Sequence, residues 1–263
     1  MPLGMAASTL EFLRPYVTSD IGQWSTLHVV LYMIVILSGP ELMGEFAMRF
    51  AWCYPWQKPL DLQSKHHLDT LSRKDRTFIT INKFITAMYF YHILKVCRTS
   101  PNIYWSLEEV TFANSLLALF PLFCVYDFLY SLFHAFLHRP CVYGYIHKHH
   151  HQQVNPSRGT HDAMNVHPIE FIVGEYLHLV SFYFVPCHII AILMMNIAAA
   201  AAAALNHSHI DISVPFLWEA RDHNTHHRLF TCNFGQYTMF WDKVFGWYQP
   251  YYREPRRKEA NQD

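Results

Sequence analysis

Between Tyr176 and Ile210 lie 35 residues without a single Asp, Glu, Lys or Arg. As one helix they would extend about 52 Å at a rise of ~1.5 Å per residue, well beyond the ~30 Å apolar core of a bilayer. Pro186 sits inside the run and cannot continue a helix without losing a backbone hydrogen bond. A helical hairpin with its turn near the proline satisfies both facts. Its return arm contains seven consecutive alanines, Ala198 to Ala204. Alanine gains little from lipid, so this arm is expected to pack against other helices through its small side chains.

Three more stretches have spanning length. Ile21 to Pro40 carries no formal charge, Thr77 to Leu94 carries only Lys83, and Thr111 to His138 carries only Asp127. Several such segments cannot all be hidden from water in a chain of 263 residues. A soluble all-α protein is therefore set aside. The composition agrees, with 52% hydrophobic and only 15% charged residues. The formal net charge of zero gives no electrostatic grip on nucleic acid. Glu11 and Asp20 leave no basic region leading into a cleavable signal. Six scattered cysteines without a C-x-x-C pair read as buried thiols rather than a disulfide framework.

Charge asymmetry predicts the orientation. The segment Glu41 to Arg76 holds Arg49, Lys58, Lys65, Arg73, Lys74 and Arg76, whereas Arg98 to Leu107 holds only Arg98. The positive-inside rule puts the first on the cytosolic side and the second on the lumenal or external side. Counting spans onward, the regions after His134 and after His207 both reach the cytosol. The tail with Arg253, Arg256, Arg257 and Lys258 agrees.

Those two regions hold most of the 19 histidines, and three stretches share a spacing. "HAFLH" supplies His134 and His138, "HKHHH" supplies His147, His150 and His151, and "HNTHH" supplies His223, His226 and His227. On a helix, residues three and four apart share a face, so each stretch aims two or three imidazoles one way. Eight converging rings exceed the needs of one metal and suit two. Neutral imidazole favours zinc, copper, iron or nickel over calcium or magnesium. The isolated His28, His92, His178 and His188 are expected to be packed or interfacial, and His66 and His67 solvated. His149 lies off the shared face, either as an outer partner or exposed.

This pattern resembles the membrane-bound fatty acid hydroxylase superfamily, which includes sterol desaturases, sterol methyl oxidases and sphingolipid hydroxylases. "HRPCVYGYIHKHHH" resembles its bridge between the first two histidine boxes, "NVHPIE" its H-P-x-E step, and "NFGQYTMFWDKVFGW" its C-terminal signature. The likeness runs from about Leu129 to Trp247. Only nine positions separate His138 from His147, too few for the intervening spans of acyl-CoA desaturases. The resemblance implies metal ligation by His134, His138, His147, His150, His151, His223, His226 and His227. His207 in "NHSHID" best matches a further ligand. A second histidine often stands one turn away in the family, whereas this chain offers Asp211 or a shifted His209. His167 stands between ligand and outer partner. Asp222 and Asp242 could orient ligand rings through their second nitrogen, or Asp242 could cap a helix or pair with Arg228 or Lys243.

The implied architecture is all-α, a polytopic membrane helical bundle with a cytosolic histidine-rich metal-binding cap. Residues 1–110 form an N-terminal transmembrane region, 111–250 the fatty acid hydroxylase-like domain, and 251–263 a basic cytosolic tail. Two iron ions would activate O2 and attack a lipid C–H bond, chemistry that acid–base side chains cannot supply. The lipid is a sterol or a fatty acyl or sphingoid species, and hydroxylation and desaturation both remain open. No dinucleotide fingerprint and no H-P-G-G haem motif is present. Electrons would come from NAD(P)H through a separate cytochrome b5 or reductase, in the endoplasmic reticulum. The rival reading is a non-catalytic histidine-rich membrane protein for metal binding or transport. A transporter would hold its ligands near the bilayer midplane instead of at span ends.

Overall fold

The structure is a computed structural model that describes residues 24–53, 58–59, 70–214 and 217–251. His66, His67 and the basic tail from Arg253 lie outside the described residues. The fold is mostly helical, with strands confined to two-residue bridges. Helix α1 spans Thr26–Trp52, α2 Arg73–Thr99, α3 Leu119–Leu137, α4 Pro168–Phe184, α5 Ile189–Asn206, α6 Ala220–Leu229 and α7 Phe240–Phe245. A π-helical turn, Ala113–Leu117, leads into α3.

The hairpin expected in the uncharged run is present. Its arms are α4 and α5, and Pro186 falls in the turn between Phe184 and Ile189. Two histidines cap these arms. His167 Nδ1 accepts from the Ile169 N–H at 3.2 Å, and His188 Nδ1 accepts from the Ile190 N–H at 3.2 Å. Each ring nitrogen satisfies one of the orphan donors of a helix start. At the start of α2, Ser72 and Asp75 form a reciprocal capping box.

Among the described residues, three helical stretches are long and apolar enough to cross a membrane: Thr26–Trp52, Ala113–Leu137 and Ile189–Asn206. The chain is an integral membrane protein built around them. Two expectations change. The first span does not stop at Pro40, because α1 continues through it to Trp52. Pro40 deprives the Ile36 carbonyl of its partner, a loss that membrane helices tolerate where neighbours or local adjustment compensate. The stretch Thr77 to Leu94 is only the middle of a 27-residue helix, α2, which is less apolar than those three yet carries the chain from beside His149 back to the hairpin turn at Cys187.

The alanine arm behaves as expected and packs most extensively on α1. At Gly44 the approach is so close that a Cβ would sit 3.0 Å from the Ala204 methyl and 2.1 Å from Thr160 Oγ1. The main core lies between α2, α3, α4 and α5, around the fully buried Tyr89, Leu122, Phe182, Ile192 and Met195. This core fixes the ends of α3 and α5, from which the histidines project.

Candidate metal centre

His134 lies in the last turn of α3 and His138 caps that helix. The chain turns at once, because Pro140 takes the first position of a new one-turn helix. His147, His150 and His151 follow on the next irregular turns. His207 caps the C-terminus of α5, and His223, His226 and His227 occupy one face of α6. Helix α6 stops when Phe230 turns left-handed at φ 64°.

These nine side chains converge into two groups. His134, His138, His147, His151 and His226 form the first, and His150, His207, His223 and His227 form the second. Within each group the nearest nitrogens all lie within 4.8 Å of one another. All nine sequence-derived candidates are therefore brought together. The other candidates are not. His167 spends its Nδ1 on the cap of α4. The His209 ring packs edge-on against Trp52 at 5.3 Å. Asp211 sits in a two-residue bridge opposite Lys58. His149 is neither exposed nor part of a group, since its Nε2 lies 3.0 Å from Asn165 Oδ1 and 3.1 Å from Asp75 Oδ1.

Hydrogen bonds fix how five of the rings are protonated. The Nδ1–H groups of His134, His207, His226 and His227 donate to the carbonyls of Phe234 (2.9 Å), Ala203 (2.8 Å), Cys232 (2.7 Å) and Gln153 (3.0 Å). His147 Nδ1–H donates to Glu170 Oε1 at 2.8 Å. A carbonyl oxygen can only accept, so in the first four rings the proton is on Nδ1 and a bare lone pair is left on Nε2, and an ionised Glu170 holds His147 the same way. Those Nε2 atoms all turn inward, and those of His134 and His147 face each other. His134 and His147 approach to 3.0 Å with a lone pair on each side. Further Nε2 contacts of 2.9 to 3.3 Å join His147 to His151, His151 to His226, His150 to His207, His207 to His223 and His223 to His227.

Protonation does not relieve this crowding. Burial, followed by the neighbouring imidazoles, holds His150, His223, His226 and His227 well below the usual histidine range, and burial pushes His138 down to about 4. His138 Nε2 has no partner although it is buried. Nitrogens bound about 2.1 Å from one ion at right angles lie ~3 Å apart. The donor set, its fixed tautomers and its spacing fit a metal in each group.

The surrounding shell departs from the sequence reading. Neither Asp222 nor Asp242 touches a ring. Asp242 accepts the backbone N–H groups of Phe234 (2.5 Å) and Gly235 (2.9 Å). It thereby steadies the loop whose Phe234 carbonyl holds His134. Asp222 takes part through its carbonyl, which accepts from Asn233 Nδ2 at 3.0 Å. Asp127 accepts from the N–H groups of Gln236, Tyr237 and Thr238 and from the Thr238 hydroxyl. Asp127 and Glu170 had no assigned role in the sequence. The only signal for Glu170 was its place in "NVHPIE", where Pro168 starts α4 and puts the carboxylate in the first turn.

A cavity of about 150 Å³ lies against the second group. His207 and Glu170 border it at one place, and Pro40 of α1 and the alanines Ala199, Ala200 and Ala203 line it elsewhere. The histidine groups thus sit at the ends of the spans, beside an apolar chamber.

The model of the fatty acid hydroxylase family matches residues 118–247, about half of the chain. A Delta(7)-sterol 5(6)-desaturase of Aspergillus fumigatus is 28% identical over 61% of this chain and 46% of its own. Another, from Eremothecium gossypii, is 32% identical over 59% of this chain and 43% of its own. Methylsterol monooxygenase 1 of Gallus gallus is 26% identical over 94% of this chain and 84% of its own. The match thus spans less than half the length of these desaturases. No solved structure matches the chain. The matched region begins at the start of α3 and ends just beyond α7, enclosing all nine clustered histidines and the loop that holds them, and the chain belongs to the fatty acid hydroxylase superfamily.

Proposed function

We propose that this protein is a membrane oxidoreductase that oxidises a C–H bond of a lipid, a sterol foremost, with two iron ions held by its nine clustered histidines. His134, His138, His147, His151 and His226 would hold one ion, and His150, His207, His223 and His227 the other. The relatives support the substrate class, since those reported are named for sterol desaturation or methylsterol oxidation. When bound, an iron pair supplies activation of O2 and attack on an unactivated C–H bond. Hydroxylation and desaturation share that attack, and either outcome suits the site.

The observation that carries the reading is the convergence of nine buried imidazoles into two groups of inward-facing nitrogens next to an apolar chamber. The chain's own residues fix the imidazole tautomers through carbonyls and Glu170, and they exclude water by burying the rings. They also open the metal end to a lipid entering among the spans. The reading extends to the endoplasmic reticulum, with the histidine cap facing the cytosol, as the basic residues between Glu41 and Arg76 support. Electrons would arrive from NAD(P)H through a separate cytochrome b5 or reductase.

The test uses purified, unstripped protein in lipid nanodiscs. It should contain two metal ions per chain, iron when active, and oxidise lathosterol when given O2, NADPH, cytochrome b5 and its reductase. One metal or none in a well-folded sample rejects the site. Two metals that exchange freely, with no oxidised lipid from any sterol or acyl substrate, support the rival metal-binding or transport protein instead.

A further inference from the structure

The cavity has a polar feature that the histidines do not use. Glu175, on α4, is enclosed by protein, yet it keeps accessible surface because it faces the chamber. Its neighbours are the phenols of Tyr89, Tyr126 and Tyr237. Two of these hydroxyls are engaged elsewhere. Tyr89 donates to Asn196 Oδ1 at 3.0 Å. His178 Nδ1–H donates to the Glu175 backbone carbonyl at 3.0 Å, which leaves His178 Nε2 to accept from the Tyr237 hydroxyl at 2.9 Å. The Tyr126 ring packs on that of Tyr237 at 5.0 Å. Among the described residues no hydrogen bond reaches the Glu175 carboxyl. A carboxyl without a partner in a largely apolar chamber is costly unless the occupant supplies the missing bond.

We infer that Glu175 is a specificity-determining residue of this cavity, accepting a hydrogen bond from the hydroxyl of a neutral lipid alcohol and turning away fatty acid carboxylates. The inference rests on the lipid-oxidising reading above and names the substrate class more closely. Three features carry it. The carboxyl can accept from an alcohol O–H, whereas in its ionised form it repels a second carboxylate brought against it. A cavity near 150 Å³ has room for about one six-membered ring. The hydroxyl-bearing ring therefore enters, and the apolar remainder stays among the spans. Finally, Glu170 and Glu175 share α4 and lie about 7–8 Å apart along its axis. A hydroxyl held at Glu175 leaves the metal end within one ring system of it, so the contact selects both the lipid and the carbon presented.

The test is competition against tritiated lathosterol on metal-loaded protein in nanodiscs, with unlabelled lathosterol, its 3-O-methyl ether and oleate as competitors. Wild type should prefer the alcohol over the ether at least tenfold and ignore oleate. Glu175→Leu should bind alcohol and ether alike, while Glu175→Gln, whose amide oxygen still accepts, should keep most of the preference. A structural role alone would weaken alcohol and ether together and leave their ratio intact. Equal binding of alcohol and ether by wild type, no lathosterol binding at all, or an unchanged ratio in Glu175→Leu overturns the inference. The wild-type comparison decides even where a variant fails to fold. Turnover assayed in parallel separates the two readings. Discrimination without oxidised product keeps Glu175 and rejects the oxidase, and oxidised product without discrimination does the reverse.

Discussion

Four of the five acceptors that fix the histidine tautomers are backbone carbonyls, which no substitution removes cleanly. Glu170 is the side-chain exception. On the proposed ligand set, Glu170→Ala should lower metal affinity about 10–100-fold, the usual cost of losing a partner behind a ligand. Glu170→Gln, which still offers an oxygen to His147 Nδ1–H, should lose far less. Competition with a chromophoric chelator measures both. His207→Ala should deplete the second group, whereas His209→Ala and Asp211→Ala should leave metal content intact, because both lie outside either group. Elemental analysis of the three variants decides between the donors that the sequence left open. Eight of the nine clustered histidines were legible from spacing, since repeats of three and four residues mean one face whatever surrounds the helix. His207 was reachable only by family resemblance. It stands alone at a helix end, and its partners come from the segment near His150 and from α6. Glu170 and Asp127 were not legible as supports, for a related reason. Asp127 acts on Gln236 to Thr238, more than a hundred positions away, and local sequence carries no trace of that pairing.

At the scale of elements, the loop between α6 and α7 deserves its own test. Asn233 turns left-handed at φ 55°, and its side chain binds Asp222 and Gln249 main-chain atoms. Gly235 follows, where a Cβ would come within 2.4 Å of the Thr238 carbonyl and 2.8 Å of Asp242 Oδ2. The contacts are rigid, so Gly235→Ala should cost about 1–3 kcal/mol, as other overpacked sites do. The displaced Phe234 carbonyl should also loosen His134. A lowered thermal midpoint together with reduced metal retention is the expected result, and a fully stable, fully loaded variant contradicts it. The helical hairpin was plain in the sequence, because an uncharged run of that length with an interior proline has few other solutions. The end of α1 was hidden. The uncharged stretch closes at Pro40 because Glu41 follows, yet the helix runs through both to Trp52, with Pro40 bordering the chamber. The polarity of α2 was underestimated because a count of formal charges passes over Asn82, His92 and the threonines inside Thr77 to Leu94.

For the whole molecule, both histidine regions meet in one cap, so they must lie on the same side of the bilayer. Tyr145 and Val244 are exposed on the two halves of that cap, at 84% and 57%. Single cysteines at these positions on a cysteine-free background should both react with an impermeant maleimide from the cytosolic side. Reaction of either one only from the lumen would reverse the proposed orientation. The cap also imposes a rule on how it fills. His147 and His151 stand in one group, while His150, between them in the chain, stands in the other. An ion that arrives first must settle this shared turn, and the second then meets donors already arranged, without the ordering cost the first has met. On the proposed ligand set, loading should therefore be cooperative. Native mass spectrometry during a titration with less than two equivalents of iron should show empty and doubly filled chains, with the singly filled form scarce; a dominant singly filled form would refute it. On that reading, a cell short of iron would divide the protein into fully working and idle copies, and activity would fall in proportion to supply without a pool of half-assembled centres.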